Sequence, residues 1–186
     1  KVGFENAAPL LGSADIVTAA TPLAAMHQGS FDPAAGTVME LFLGNVGGCI
    51  GETSALLLLV GFAYLLIRKV ITPRIPLFYI GTVAVLTLLF PMGNDPLTWM
   101  ASQVFGGGLM LGAIFMATDY ATSPVTAKGQ IVFGIGCGAL TVFFRYFGLF
   151  PEGVTYAILL LNAVVWVLDR YTPIRRFGTK KGGAAK

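Results

Sequence analysis

Clusters of glycine that interrupt apolar, helix-length sequence limit most strongly what this chain can fold into. Over residues 43–54 the sequence reads L-G-N-V-G-G-C-I-G-E-T-S, with apolar runs on both sides. Glycine is a poor helix former and permits backbone conformations that other residues avoid. The pattern therefore predicts a break between a short helix over 37–43 and a longer helix over about 52–70.

The composition is typical of a membrane protein. Of the 186 residues, 55% are apolar and 11% are charged, with a mean hydropathy of +0.77, whereas a soluble domain carries roughly a quarter charged residues. The single histidine and the two cysteines, which lack C-x-x-C spacing, offer no metal-binding framework. The net charge of +3 comes from basic clusters of the kind that orient membrane spans, so it does not indicate a nucleic-acid partner.

We expect an all-α integral membrane protein of about five spans, built with two broken helices and glycine-rich interruptions. Apolar runs over 52–70, 75–90, 131–147 and 154–168 predict four of the spans. The remaining span is predicted over 109–118, after a short re-entrant helix over 96–105 and three consecutive glycines. Two parts of the chain thus share one pattern, in which a glycine break separates a short apolar helix from a second apolar helix. Paired interruptions of this kind indicate a site within the membrane, as in transporter-like folds.

The basic residues predict the orientation in the cytoplasmic (inner) membrane of the cell. Arg68, Lys69 and Arg74 form one cytoplasmic cluster, and the C-terminal tail forms another. The chain then divides into an outer segment over 1–36, a transmembrane helical domain over 37–172 and a cytoplasmic basic tail over 173–186. Because the sequence begins abruptly in polar residues, we expect a piece of a longer subunit with earlier spans. Arg145, near the outer end of the 131–147 span, breaks the charge rule and therefore needs a partner.

Two acids at the ends of apolar runs, Glu52 and Asp119, are candidates for ion coupling. Each has hydroxyl side chains beside it in the sequence, and hard cations prefer such oxygen ligands, together with carbonyls freed where a helix unwinds. The alternative for Glu52 is that it caps the start of its helix, where the dipole favours an acid. The alternative for Asp119 is that it caps the following turn.

Four sequence blocks, in order, resemble the C-terminal half of RnfD, a membrane protein of the Rnf electron-transport complex. They are similar, more distantly, to NqrB of the Na⁺-translocating NADH:quinone oxidoreductase. The blocks read D-I-V-T-A-A-T-P-L, G-N-V-G-G-C-I-G-E-T-S-A-L, F-M-A-T-D-Y-A-T-S-P-V-T and R-Y-F-G-L-F-P-E-G-V-T-Y-A-I-L-L-L-N. The resemblance implies a membrane subunit that, with other membrane and peripheral subunits, passes electrons between ferredoxin and NAD coupled to Na⁺ or H⁺ transport.

The resemblance also implies a covalent flavin. In that family a threonine carries FMN through a phosphoester bond at the end of a motif similar to D-x-x-[S/T]-G-A-[S/T]. The matching positions here are Asp15, Thr18, Ala19, Ala20 and Thr21, with Ala19 where the motif has glycine. FMN is then expected on Thr21, attached by a flavin transferase that works outside the cytoplasm. The family also raises a second, non-covalent flavin, for which riboflavin is the candidate.

Arg145 is a candidate partner for the flavin phosphate, because a phosphodiester keeps one negative charge and arginine suits phosphate. A salt bridge with Glu152 is the alternative.

Two other functions stay open from the residues themselves. A broken-helix ion or solute transporter or channel without a redox cofactor explains Glu52, Asp119 and the glycine breaks equally well. It leaves the segment ending at Thr21, which alone reads as a turn closed by Pro22, without a purpose. The third possibility is a purely structural membrane subunit. A yellow, fluorescent band on a denaturing gel distinguishes the flavoprotein from both.

Overall fold

The computed structural model describes residues 22–27, 33, 35–45, 53–148 and 152–172, and every regular element within these ranges is a helix. In chain order the helices are α1 (Pro22–His27), α2 (Ala35–Leu43), α3 (Ala55–Ile67), α4 (Arg74–Leu89), α5 (Pro96–Phe105), α6 (Leu109–Met116), α7 (Ala127–Phe147) and α8 (Val154–Tyr171). The predicted all-α class is confirmed.

The described helices have the length and composition of a membrane protein. α7 and α8, with 21 and 18 residues, are long and apolar enough to cross a membrane, and α5 with α6 adds a third span if the bent pair is counted as one. α3 and α4 are shorter apolar helices of 13 and 16 residues. Because a hydrocarbon core about 30 Å thick needs about 20 helical residues, the predicted total of about five spans stays a prediction.

The core lies where α4, α6, α7 and α8 meet. Its fully buried side chains include Tyr79, Leu109 and Phe133. Across the α4–α7 contact, Tyr79 Oη lies 2.7 Å from Thr141 Oγ1, and Thr141 Oγ1 donates to the Cys137 carbonyl at 2.8 Å. Since the threonine has one hydroxyl proton, Tyr79 is the donor in the cross-helix bond.

Two glycines on α7 allow α4 to approach closely. A Cβ at Gly138 would lie 2.7 Å from Thr82 Cβ, and one at Gly134 would lie 3.0 Å from the Ile75 carbonyl oxygen. Small residues four positions apart share one helix face, and in membranes they let helix backbones come together. This glycine face explains why α4 and α7 form the most extensive helix contact among the described elements.

The first predicted break lies where α2 ends and α3 begins. Gly44 follows α2 with φ +92°, and its amide donates to the Glu40 carbonyl at 2.8 Å. Glycine is the usual residue in this left-handed position after a helix. A Cβ at Gly44 would lie 2.7 Å from Ser54 Cβ, so the end of α2 touches the residue that precedes α3.

The second break lies between α5 and α6, which are bent by 60° relative to each other. Gly107, inside this break, has φ +65°. The two broken elements contact each other, since α2 lies against α5 and α3 against α6. The Phe42 and Phe105 rings meet edge to face, with centroids 5.4 Å apart.

The start and end predicted for α3 are wrong. The helix begins at Ala55 and not at residue 52, because the Ser54 side chain caps it by accepting from the Leu57 amide at 3.4 Å. It ends at Ile67 and not at residue 70, and Lys69 beyond it has φ 55°. The capping role considered for Glu52 therefore belongs to Ser54.

Other boundaries also differ from the prediction. α7 begins at Ala127 and not at residue 131, since Thr126 Oγ1 accepts from the Gly129 amide at 3.0 Å and starts the helix earlier. α8 continues to Tyr171, three residues beyond its predicted end. The 109–118 segment is α-helical only over Leu109–Leu111 and π-helical over Gly112–Met116.

Candidate functional site

A cavity of about 230 Å³ opens between α1, α5 and α7. Its lining combines apolar, aromatic and polar side chains, namely Leu23, Met26, His27, Met92, Trp99, Gln103, Arg145 and Tyr146. Trp99 and Gln103 lie four residues apart on α5, so they share one face of that helix. Arg145 and Tyr146 are adjacent near the C-terminal end of α7.

The short helix α1 contributes Leu23, Met26 and His27 to the cavity. Leu23 and Met26 are buried, while His27 is exposed and its Nε2 lies 3.1 Å from the Gly148 carbonyl oxygen just beyond α7. Leu23 also reaches the second glycine break, since a Cβ at Gly107 would lie 2.8 Å from Leu23 Cδ2. α1 is therefore held against the residues that directly follow α5 and α7.

A chain of hydrogen bonds fixes the aromatic wall. Trp99, which is 5% exposed, donates from Nε1 to Tyr146 Oη at 3.1 Å. Tyr146 Oη in turn donates to the Phe90 carbonyl at 2.8 Å. Buried tryptophan and tyrosine side chains normally find such partners for their polar atoms. The chain joins α5, α7 and the residue after α4, so the indole has a defined place and orientation.

Arg145 lies at the C-terminal end of α5. Its side chain is 4% exposed. Nη1 donates to the Gln103 carbonyl oxygen and to Gln103 Oε1 at 3.2 Å, and Nη2 donates to the Gly106 carbonyl oxygen at 3.1 Å. The last carbonyls of a helix lack partners within the helix, and the negative end of the dipole attracts a cation. Arg145 therefore satisfies the end of α5 where the helix breaks.

Glu152 and Arg145 both lie close to Gly107 in the second break. A Cβ at Gly107 would lie 3.1 Å from Glu152 Oε1 and 3.4 Å from Arg145 Nη2. With φ +65° and these neighbours, the position suits only glycine. Arg145 Nη2 and Glu152 Oε1, the alternative partner named from the sequence, thus both lie near Gly107. Of the two residues, Arg145 lines the cavity.

Four of the predicted site residues, Asp15, Thr18, Thr21 and Glu52, lie outside the described residues. Thr21 is nevertheless joined by a peptide bond to Pro22, the first residue of α1.

Asp119 lies away from the cavity lining. It is exposed in the turn after α6, and its Oδ2 accepts a hydrogen bond from Thr122 Oγ1 at 3.2 Å. Thr118 Oγ1 instead donates to the Ile114 carbonyl at 2.6 Å. This geometry is that of a side chain capping the following turn, and the proposed role in ion coupling stays a prediction.

Sequence reasoning missed most of the cavity wall. Trp99, Gln103 and Tyr146 were not identified as site residues. A usable signal was present for two of them, because a tryptophan and a glutamine four residues apart share one face of a short apolar helix. That α1 would close the cavity could not be read from its sequence, since it depends on tertiary contacts.

Comparisons with known proteins agree with the resemblance that the four blocks indicate. The sequence model of the NQR2, RnfD, RnfE family matches residues 3–178. The chain is 49% identical over 169 residues to the D component of a Na⁺-translocating ferredoxin:NAD⁺ oxidoreductase complex from Acetobacterium woodii, covering 90% of this chain and 51% of the relative. It is 45% identical over 177 residues to the D component of a proton-translocating ferredoxin:NAD⁺ oxidoreductase complex from Clostridium ljungdahlii, covering 90% and 53%.

A more distant relative is the D component of an ion-translocating oxidoreductase complex from Methanosarcina acetivorans. It is 41% identical over 141 residues, covering 75% of this chain and 46% of the relative. The chain spans about half the length of the curated relatives it matches. With a family match over nearly its whole length, the chain belongs to the NQR2, RnfD, RnfE family.

Proposed function

We propose that this chain is the flavin-bearing part of a membrane subunit in an ion-translocating ferredoxin:NAD⁺ oxidoreductase complex. The complex would pass electrons between ferredoxin and NAD⁺ and couple this transfer to the movement of Na⁺ or H⁺. The names of the relatives at 49% and 45% identity support this activity. One relative is named for Na⁺ and the other for protons, so the likeness favours neither coupling ion.

The cofactor in this proposal is FMN, held by a phosphoester bond to Thr21. The observation that carries it is the position of the motif: its last residue directly precedes α1, which lines the cavity together with Trp99 and Arg145. The cavity residues fit a flavin, because they offer aromatic and apolar surface together with one buried cation. When bound, the flavin supplies the redox chemistry, and the protein sets its position and electrostatic surroundings.

The proposal includes the topology and the partners. The segment 1–36 would lie outside the cytoplasm, where a flavin transferase can reach Thr21, and the basic tail would lie inside. The basic residues at 68, 69 and 74 and in the tail support this orientation in the cytoplasmic membrane. Other membrane and peripheral subunits of the complex are the expected partners. A second flavin, such as riboflavin, has no place assigned in the described residues.

The test is the mass of the full chain produced together with a flavin transferase. Wild-type chain should carry the added mass of FMN, Thr21→Ala should lack it, and the control Thr18→Ala should keep at least part of it. Thr18 is the matched control because it is a threonine of the same motif. An unmodified wild-type mass, in cells whose transferase modifies another substrate, contradicts the proposal.

The competing function is a broken-helix ion transporter or channel subunit without a redox cofactor. The 60° bend between α5 and α6 and the π-helix over Gly112–Met116 favour it, because π-helical turns are frequent at functional sites. The same mass measurement separates the two functions, since only the flavoprotein gains mass on Thr21.

A further inference from the structure

We propose that one end of the helix bundle binds the head groups of anionic phospholipids, and that Arg170 on α8 contacts them beside Trp166. We call this surface the basic end; it comprises the end of α3, the starts of α4 and α7, and the end of α8. The inference depends neither on the proposed flavin nor on the proposed orientation, because both faces of a membrane carry a layer of head groups.

Hydrogen bonds hold these helix ends together. Thr72 Oγ1 and Arg74 Nη1, around the start of α4, both donate to Gln130 Oε1 on α7 at 3.4 Å. Thr126 Oγ1, which precedes α7, lies 2.6 Å from Thr172 Oγ1, which follows α8. A short turn connects the end of α3 to the start of α4. All four helix ends therefore meet at one end of the bundle.

Positive charge is concentrated at the basic end. Of the six lysine and arginine side chains in the described ranges, five are exposed and lie there, namely Arg68, Lys69, Arg74, Lys128 and Arg170. The sixth, Arg145, is buried near the C-terminal end of α7, at the opposite end of the bundle. Clusters of this size beside membrane helices attract anionic lipids.

The acids of the basic end do not cancel this charge. Among the described residues of this end, the carboxylates are those of Asp119 and Asp169. Asp119 Oδ2 accepts from Thr122 Oγ1 at 3.2 Å, and Asp169 Oδ1 accepts from the Val125 amide at 3.3 Å. Two negative charges against five positive charges leave a net positive surface, which complements a phosphate group.

Large apolar and aromatic side chains are exposed beside these charges. Trp166 and Tyr171 on α8 are 69% and 81% exposed, and Tyr64 and Ile67 on α3 are exposed as well. Aromatic side chains are enriched at the membrane–water boundary, where their rings lie among the head groups. A soluble acidic protein would complement the cations but would leave lipid-level apolar surface uncovered. A phospholipid offers a phosphate to the cations and acyl chains to the apolar side chains.

Arg170 is positioned for such a ligand by Trp166. Its guanidinium carbon lies 5.7 Å from the centroid of the Trp166 ring, and a cation over an indole face is attracted by the ring. Leu159 and Ala163, seven and three residues before Trp166, are also exposed and share this face of α8. An acyl chain can therefore lie along Leu159 and Ala163 while the phosphate accepts from Arg170.

The probe is phosphatidylglycerol with brominated acyl chains, which quench the emission of a tryptophan that they touch. The full chain is reconstituted in phosphatidylcholine bilayers that contain a small, fixed share of brominated phosphatidylglycerol or of brominated phosphatidylcholine. The chain has two tryptophans, so a Trp166→Phe variant gives the emission of Trp99 for subtraction. The ratio of the two quenching efficiencies reports the preference for the anionic lipid and cancels any change in the brightness of Trp166.

Arg170→Gln removes the charge beside Trp166, and Arg170→Lys keeps it. An interfacial lysine or arginine strengthens the binding of an anionic lipid about 5-fold. We therefore expect wild-type chain to prefer phosphatidylglycerol, Arg170→Gln to lower its relative association constant about 5-fold, and Arg170→Lys to retain it. Adding Lys128→Gln to Arg170→Gln should lower the constant further, because Lys128 is exposed at the same end.

Thr155→Glu is the matched control. It changes the net charge by the same one unit as Arg170→Gln, at an exposed position in the first turn of α8, where the helix dipole favours an acid. Thr155 is about 16 Å from Trp166 along the helix, beyond the screening length of ~8 Å at physiological salt. We therefore expect an unchanged quenching ratio in this variant.

Each outcome decides the proposal. Equal quenching by the two lipids in wild-type chain overturns it and leaves the basic end to an acidic protein partner. A preference for phosphatidylglycerol that persists in both Arg170→Gln and the double variant with Lys128→Gln also overturns it, because the described cations then do not form the contact. A loss of preference in Thr155→Glu as large as in Arg170→Gln would show a response to net charge without a site at Arg170.

Discussion

Replacing Gly138 with alanine tests the close approach of α4 and α7 directly. The added Cβ would lie 2.7 Å from Thr82 Cβ and 2.9 Å from the Tyr79 carbonyl oxygen. The optimal distance between non-bonded carbon atoms is ~3.5–4.0 Å, so the two helices must separate by about 1 Å at this point. The Thr82 side chain cannot turn away freely, because Oγ1 donates to the Phe78 carbonyl at 2.7 Å. The Tyr79 oxygen is part of the backbone of α4.

The size of the effect follows from a comparison with Gly81, on the facing helix. A Cβ at Gly81 would meet nothing within 4 Å, so Gly81→Ala should gain only helix propensity, up to ~1 kcal/mol. Gly138→Ala gains the same propensity and also forces extra volume into a tight contact, which costs ~1–3 kcal/mol. For a chain of this length, 1 kcal/mol shifts Tm by ~2–4 °C. We therefore expect Gly138→Ala to denature about 2–12 °C below Gly81→Ala.

The assay is thermal denaturation of the full chain in one detergent, followed by the loss of the monodisperse peak in size-exclusion chromatography. Gly136→Ala gives an intermediate control, because its Cβ would lie 3.0 Å from Leu161 Cδ1, the end of a side chain that can move. Equal denaturation temperatures for Gly138→Ala and Gly81→Ala would refute the close α4–α7 contact.

Three further predictions address the core, the proposed coupling and the topology. Tyr79→Phe removes the hydrogen bond to Thr141, but Thr141 keeps its bond to the Cys137 carbonyl, so we expect a loss of ~0.6 kcal/mol and at most ~1.7 kcal/mol in the same thermal assay. Asp119→Asn should lower ion uptake per electron transferred in the intact complex, and normal rates of both across a range of Na⁺ and pH would remove Asp119 from coupling. With a membrane-impermeant thiol reagent, Asn94→Cys should be labelled from the outer face and Thr72→Cys from the inner face, and labelling of Thr72→Cys from outside would overturn the orientation.

The helices could be predicted where local sequence determines them. α5 was predicted at its observed bounds, since Pro96 suits the first turn of a helix and three glycines follow Phe105. The break after α2 was also predicted, because Gly44 takes a backbone conformation that few other residues adopt. The early start of α7 was missed because its first turn is polar and lowers the local hydropathy, although Thr126 is a recognisable cap.

The cavity could be predicted only in part, because its walls come from three separated segments. The sequence indicated that Arg145 needs a partner, and the candidates that it suggested were a flavin phosphate and the Glu152 side chain. The observed acceptors include the carbonyl oxygens of Gln103 and Gly106, and no side-chain pattern reveals backbone acceptors. That pairing depends on the end of α5 lying against α7, which is a tertiary property. The π-helix in α6 could not be predicted either, because it has no distinct sequence signal.

The position of Arg145 bears on how it can act on a flavin. If its guanidinium turned toward a phosphate, the carbonyls of Gln103 and Gly106 would lose their donor, and each buried unsatisfied group costs about 1–3 kcal/mol. An exposed phosphodiester with a single charge offers little to offset that cost, because ion pairs in contact with water contribute ~0–1 kcal/mol. We therefore expect Arg145 to stay at the end of α5 and to act on the flavin through its charge, because a flavin gains negative charge on reduction. One buried cation would then both hold the shape of the broken helix and favour the reduced flavin, so that a change in the bend at Gly107 would alter the potential of the cofactor.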